Sequence, residues 1–245
     1  MRTSLGVALA GLVALAAVHP ARADDPKQAR AVIDKAIRAS GGAEKLAKYQ
    51  GMTWKEKGTY YGMGDGLPYT ATYTVQWPDK MRTEIEGVFT VILNGDKGWV
   101  DMGGESKEMT KDQLAEEKEE RYARWVATLR PLTQKGFTLT PLGDSKVEGE
   151  AAVGVKVSHK GHRDVELFFS KKTGLLIKSA HRAKDVTQGG KEVHQEVFYS
   201  DHKDVRGLQI PMKIVVKRDG KQFVEGEESD VKPVEKVDDK QFDKP

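Results

Sequence analysis

Cysteine is absent from all 245 residues. That removes disulfides, thiolate metal sites, thiol catalysis and lipid attachment through a cysteine. No Pro/Ser-rich linker divides the chain and no internal repeat is visible, so a single domain is expected. Beyond the first two dozen residues no run is apolar enough to cross a bilayer, and stable membrane insertion is not expected. Neither sign of charge dominates, with 40 Lys and Arg against 37 Asp and Glu and a formal net charge of +3. A balance of that kind gives no electrostatic ground for a nucleic-acid partner.

What is present begins with an export signal. Arg2 supplies a positive start and an apolar stretch runs from Leu5 to Val18. His19-Pro20 breaks it, and Ala21-Arg22-Ala23 has the small-x-small pattern that signal peptidase reads. Cleavage after Ala23 is expected, leaving residues 24–245 as the mature domain. The alternative, a retained anchor, is disfavoured because a run of about 14 residues is short of the roughly 20 that span hydrocarbon. An exported chain without disulfides suits a bacterial periplasm. Loss of Arg2 and Arg22 leaves 38 basic against 37 acidic residues.

The mature part opens as a helix. Asp25-Pro26 reads as a cap with proline at the first helical position, Ala29, Val32, Ile33, Ala36 and Ile37 share one face, and Gly41-Gly42 ends it. A short second helix around Leu46 follows. After Gly51 the period changes to two. The cleanest strand places Tyr69, Ala71, Tyr73, Val75 and Trp77 on one face and Thr70, Thr72, Thr74 and Gln76 on the other. One long helix interrupts the strands, with Thr110 and Gln113 as a capping box and Leu114, Tyr122, Trp125, Leu129 and Leu132 as its apolar stripe. Pro131 should kink or end it. The pattern predicts a mainly β fold: about ten or eleven antiparallel strands, with helices covering the inner face of a sheet large enough to curl.

Chemistry-bearing motifs are scarce. His159-Lys160-Gly161-His162 has ligand-like spacing but spans a turn, and the histidines read as solvated turn and strand residues, with no metal expected. No nucleophile elbow occurs. Gly62 to Gly66 is followed by a strand rather than a helix N-terminus, so it reads as a hairpin loop and not a phosphate cradle. The carboxylate pairs Glu116-Glu117 and Glu119-Glu120 read as solvated helix charge. No catalytic residue and no cofactor is expected. The aromatics are more informative: Tyr69, Tyr73 and Trp77 share a face, with Trp54 and Tyr60 expected beside them and Trp125 on the covering helix. Two readings stay open, an aromatic-lined concavity for an apolar ligand or a packed core.

Three segments together resemble the LolA/LolB-like superfamily of periplasmic lipoprotein carriers, nearest its uncharacterised lipoprotein-sorting relatives. They are the opening helix with Gly41-Gly42, Leu46 and a strand ending Gly58-Thr59-Tyr60; Leu167-Phe168-Phe169 with Lys172-Thr173-Gly174-Leu175-Leu176; and Phe198-Tyr199-Ser200-Asp201 running through Val205-Arg206-Gly207-Leu208 to Pro211. The ending Asp238-Asp239-x-x-Phe242-x-x-Pro245 is also similar. The resemblance covers nearly the whole mature chain and marks a fold more than an activity. It implies an incomplete antiparallel barrel, a half-barrel plugged by helices, with a hydrophobic cavity for acyl chains. It also implies a cavity arginine, for which Arg82 is the candidate; the charged run Glu116 to Arg121 fits a solvent-facing lid formed by the helix from Lys111 to Leu132.

The expected function is therefore a non-catalytic periplasmic carrier or sensor that binds a lipid or lipoprotein acyl chain. Trp54, Tyr60, Tyr69, Tyr73, Trp77, Arg82, Trp125 and Leu129 are its candidate ligand-binding residues. The alternatives are an interaction module with a filled core that grips an envelope protein partner, and a hydrolase with an unrecognised site.

Overall fold

The computed structural model describes residues 26–185 and 189–245. The signal peptide expected at 1–23 and the cap expected at Asp25 lie outside them. Helix α1 spans Pro26–Ala39 and buries Ala29, Ile33, Ala36 and Ile37, the face read from their spacing. It ends where Gly41 and Gly42 take positive φ, and the short α2 (Ala43–Lys48) turns Leu46 inward. Gly41 is fixed by packing as well, because a Cβ there would sit 2.3 Å from the Gly207 carbonyl oxygen. Gln209 donates its backbone N–H to the Ser40 carbonyl alongside. Two of the segments that carried the resemblance are therefore in contact.

The strands then come in two meanders. β1 (Gly51–Tyr60), β2 (Leu67–Gln76), β3 (Lys80–Ile85), β4 (Phe89–Asn94), β5 (Lys97–Met102) and β6 (Glu105–Glu108) step outward to one edge. The chain crosses the sheet through α3 (Lys111–Ala127) and restarts at the opposite edge. From there β7 (Thr138–Val147), β8 (Glu150–Ser158), β9 (Val165–Ser170), β10 (Leu176–Asp185), β11 (Lys191–Val205), β12 (Leu208–Arg218) and β13 (Lys221–Val234) step back until β13 pairs with β1. The result is one antiparallel sheet of 13 strands that does not close, since β6 and β7 remain edges. Register shifts in the β1–β13, β7–β8, β9–β10 and β12–β13 pairs bend it, as bulges do.

The mainly β half-barrel expected from the pattern is thus present, with 13 strands instead of ten or eleven. The difference lies where alternation is weak: β6 carries Ser106 as its one half-buried residue, and β13 has Glu, Gly, Ser and Asp along its length. The capping box at Thr110 forms as read, with Gln113 donating its backbone N–H to the Thr110 hydroxyl and accepting the Thr110 N–H. The helix stops sooner than Leu132. Thr128 is its last capping residue, Leu129 adopts φ 63°, and Pro131–Thr133 forms a single 3-10 turn.

The main core lies between α1, α3 and the inner face of β7 to β12, and includes Ile33, Val126, Val155, Leu167 and Phe169. A smaller core on β4 and β5 is closed by the C-terminal segment, where Phe242 is fully buried against Ile92 and Trp99. Asp238 caps that last turn by accepting from the Lys240 N–H. The closing Asp-x-x-x-Phe pattern is therefore a plug for one end of the sheet.

Candidate functional site

Cross-strand register decides which residues face the helices. Trp54 pairs with Tyr73, Met52 with Val75 and Gly58 with Tyr69, so these share the concave face. Arg82 pairs with Thr74 and Ile92, one position out of phase, and therefore sits on the opposite, convex face. It binds Glu84 at 3.3 Å, half-exposed. Arg82 is not the cavity arginine.

Between α3 and the concave sheet lies a cavity of about 210 Å³. Leu46, Met52, Trp54, Trp77, Ile210 and Ile214 give it apolar walls. On the helix side it is bounded by Ala123 and Ala127, one turn apart, whose short side chains leave the space unfilled. Of the aromatic candidates, Trp54 and Trp77 line it. Tyr73 lies behind Trp54, stacked at 4.7 Å between centroids and 7° between planes. Tyr69 reaches Glu56 instead of the cavity surface, and Tyr60 packs edge-on against Phe223, 5.1 Å away. Trp125 packs on Tyr122 and Phe137, outside the lining. Leu129 is past the end of α3 and fully buried in the main core, so it does not share a helical stripe with Trp125.

The polar part of the site was not among the sequence candidates. Glu56 on β1 and Glu228 on β13 are directly opposed across the two strands and both line the cavity. Like charges in that position repel. Burial, followed by the Glu56 charge, pushes the Glu228 carboxyl up to about 8. Burial raises Glu56 as well, against the hydroxyls of Tyr69 and Tyr73, which donate to its Oε1. Space for this cluster comes from a facing glycine pair, Gly58 and Gly226: a Cβ on Gly226 would meet the Glu56 carboxyl carbon at 2.8 Å, and one on Gly58 the Tyr69 ring at 2.8 Å. Arg124 projects from α3 into the same space, over the Tyr73 ring at 5.7 Å.

The charged run of α3 is not a solvated face. Glu116 is buried and receives both terminal nitrogens of Arg163, at 2.7 and 2.6 Å, plus the Lys184 N–H at 2.6 Å. Burial favours its neutral form, but these donors prevail and hold it below the usual carboxylate range. Glu119 accepts the Arg163 N–H and meets His162 Nδ1, both at 2.8 Å. Glu120 binds His181 Nε2 at 3.2 Å and the Gln195 amide at 2.8 Å. His181 is buried, unlike the solvated histidine expected, whereas His162 is exposed in its turn as read and stacks on Tyr122 at 3.8 Å. A helix whose sheet-facing side carries carboxylates shows weak apolar periodicity, and its partners are more than 40 residues away in sequence.

Among the described residues no cluster of His, Asp or Glu could hold a metal ion, and no serine hydroxyl is hydrogen-bonded to a histidine. Ser179, which lines the cavity, bonds the Tyr199 hydroxyl at 2.9 Å. No described helix is long and apolar enough to cross a membrane.

No family model and no curated protein matches this chain by sequence. Solved structures do match its fold. A DUF1329 family protein from Desulfovibrio piger superposes with a TM-score of 0.61 at 13% identity, over 90% of this chain and 98% of its own. A LolA superfamily protein from Nitrosomonas europaea gives 0.59 at 13%, covering 88% and 97%. An outer membrane lipoprotein-sorting protein domain from Vibrio parahaemolyticus gives 0.58 at 9%, covering 89% and 97%. The chain has a LolA-like fold.

Proposed function

We propose that this protein is a non-catalytic, periplasmic carrier or sensor that holds a hydrophobic ligand, a lipid or a lipoprotein acyl chain, under α3. The observation that carries the reading is the unfilled, apolar-walled cavity between that helix and the concave sheet. Its driving force is the burial of apolar ligand surface, about 25 cal/mol per Å². Size limits what enters in this state. An engineered apolar cavity of about 150 Å³ takes a benzene-sized ligand, so about 210 Å³ suits one short chain or part of a longer one. A lipid with several chains would require α3 to move.

Charged contacts to the β8–β9 loop and β10 hold the N-terminal half of α3, while Tyr122, Ala123 and Val126 seat its C-terminal half in the main core, so a lifting helix would part both sets. The named LolA and lipoprotein-sorting folds add support by analogy of architecture. Ser179 bonded to Tyr199 in place of a histidine supports a binding role over hydrolysis. Organic extraction of protein purified from its native envelope, followed by mass spectrometry, tests the reading. A bound lipid near one per protein is expected; extracts free of lipid, from protein that also takes up no neutral apolar fluorophore, would favour a filled interaction module.

A further inference from the structure

Arg130 has no carboxylate within ion-pair distance among the described residues, although it is only 8% exposed and lines the cavity. The one hydrogen bond of its side chain among the described residues is Nε–H to the Tyr49 carbonyl at 3.0 Å. Neither Nη nitrogen has a partner among the described residues, and neither is fully buried. A buried guanidinium without a counter-ion is costly by several kcal/mol even after relaxation. Burial alone pushes it down to about 10, so it stays charged at neutral pH. Arg124, the other arginine lining the cavity, differs: it is exposed to solvent, and the Glu120 charge acts on it.

The backbone beside Arg130 is also unusual. Leu129 takes the left-handed conformation at φ 63°, where glycine is the ordinary residue after a helix. That twist ends α3 and turns the next residue from the helix line into the cavity. Ser40 and Gln209 line the same cavity, together with the apolar Leu46, Met52, Trp54 and Ile210.

We propose that Arg130 is the head-group seat of the cavity, and that the preferred ligand is a single-chain amphiphile with a carboxylate head. This rests on the carrier reading above and names its ligand class. The two free Nη nitrogens form a fork whose N–H groups can donate to both oxygens of a carboxylate. A single cation matches a single negative charge, and the cavity has room for one chain. The head would supply the counter-ion that the protein does not.

Displacement of a neutral apolar fluorophore by dodecanoate and by its methyl ester tests this. The native protein should bind the acid roughly tenfold or more tightly than the ester, the scale of a charge-assisted hydrogen-bonded pair. Arg130→Gln should erase the preference, Arg130→Lys should restore part of it, and Arg82→Gln, on the convex face, should keep it. A cooperative thermal melt of each variant establishes that it is folded. Equal binding of acid and ester by the native protein would overturn the head-group seat while leaving the carrier reading standing. Displacement by neither would remove both. A preference that survives Arg130→Gln, or that Arg82→Gln erases equally, would overturn the assignment to Arg130.

Discussion

Replacing Arg163, in the β8–β9 loop, by alanine should loosen α3. The guanidinium makes two hydrogen bonds to Glu116, at 2.7 and 2.6 Å, and the Glu116 side chain is only 9% exposed. Hydrogen bonds to charged groups are worth about 1.5–3 kcal/mol each. Removing one partner of a buried pair costs about 3–5 kcal/mol, because the other charge is left uncompensated. Arg163 itself is 28% exposed, which screens part of the gain, and the Lys184 N–H remains on Glu116. A loss of about 2–4 kcal/mol is expected, or roughly 5–10 °C in melting temperature for a domain of this size. Denaturant unfolding of Arg163→Ala, Glu116→Gln and the double variant would isolate the pair. A coupling below about 0.5 kcal/mol would refute the claim that this pair holds the helix down.

Glu228→Gln should stabilise the protein in a pH-dependent way. The native carboxyl keeps its proton up to about pH 8 against an ordinary value of 4.5, so native stability falls as pH rises between those values. At about 1.4 kcal/mol per pH unit, the variant should be more stable at pH 7 by on the order of 2–3 kcal/mol, with the gap closing near pH 4.5. Melts that show the same gap at both pH values would count against a strained carboxylate pair. Ala127→Leu adds bulk to the helix wall of the cavity. It should cut apolar-fluorophore binding at least tenfold while changing the melting temperature little, since it fills space instead of displacing packed atoms. A drop in stability of several kcal/mol without loss of binding would mean the space is not where the ligand sits.

Much of the fold was legible because it is written in local signals. Period-two alternation, the Thr110–Gln113 box and the Gly41-Gly42 stop each act within a few residues, and each appears where it was read. The site was legible only on its apolar side. Trp54 and Trp77 could be placed on one face by counting in twos, but counting does not show which face Arg82 takes, since its phase is set by pairing with Thr74 and Ile92. Glu56 and Glu228 lie 172 positions apart in the chain and meet only because β13 closes against β1. Glu116 to Glu120 read as solvent-facing because carboxylates usually are. Their partners arrive from the β8–β9 loop, which carries His162 and Arg163, and from β10, which carries His181. Arg130 carried no sequence signal: its role follows from Leu129 leaving the helix, which Pro131 foreshadows without fixing the direction.

The central claim, that an apolar ligand lies between α3 and the concave sheet, is tested most directly by contact quenching. Trp54 and Trp77 line the cavity, whereas Trp99 belongs to the separate core closed by Phe242 on the convex face. Variants retaining one tryptophan each, titrated with a chain brominated along its length, report which side chain the ligand touches. Saturable quenching of Trp54 and Trp77 with Trp99 unaffected is the predicted result; equal quenching of all three, or of Trp99 alone, would contradict it.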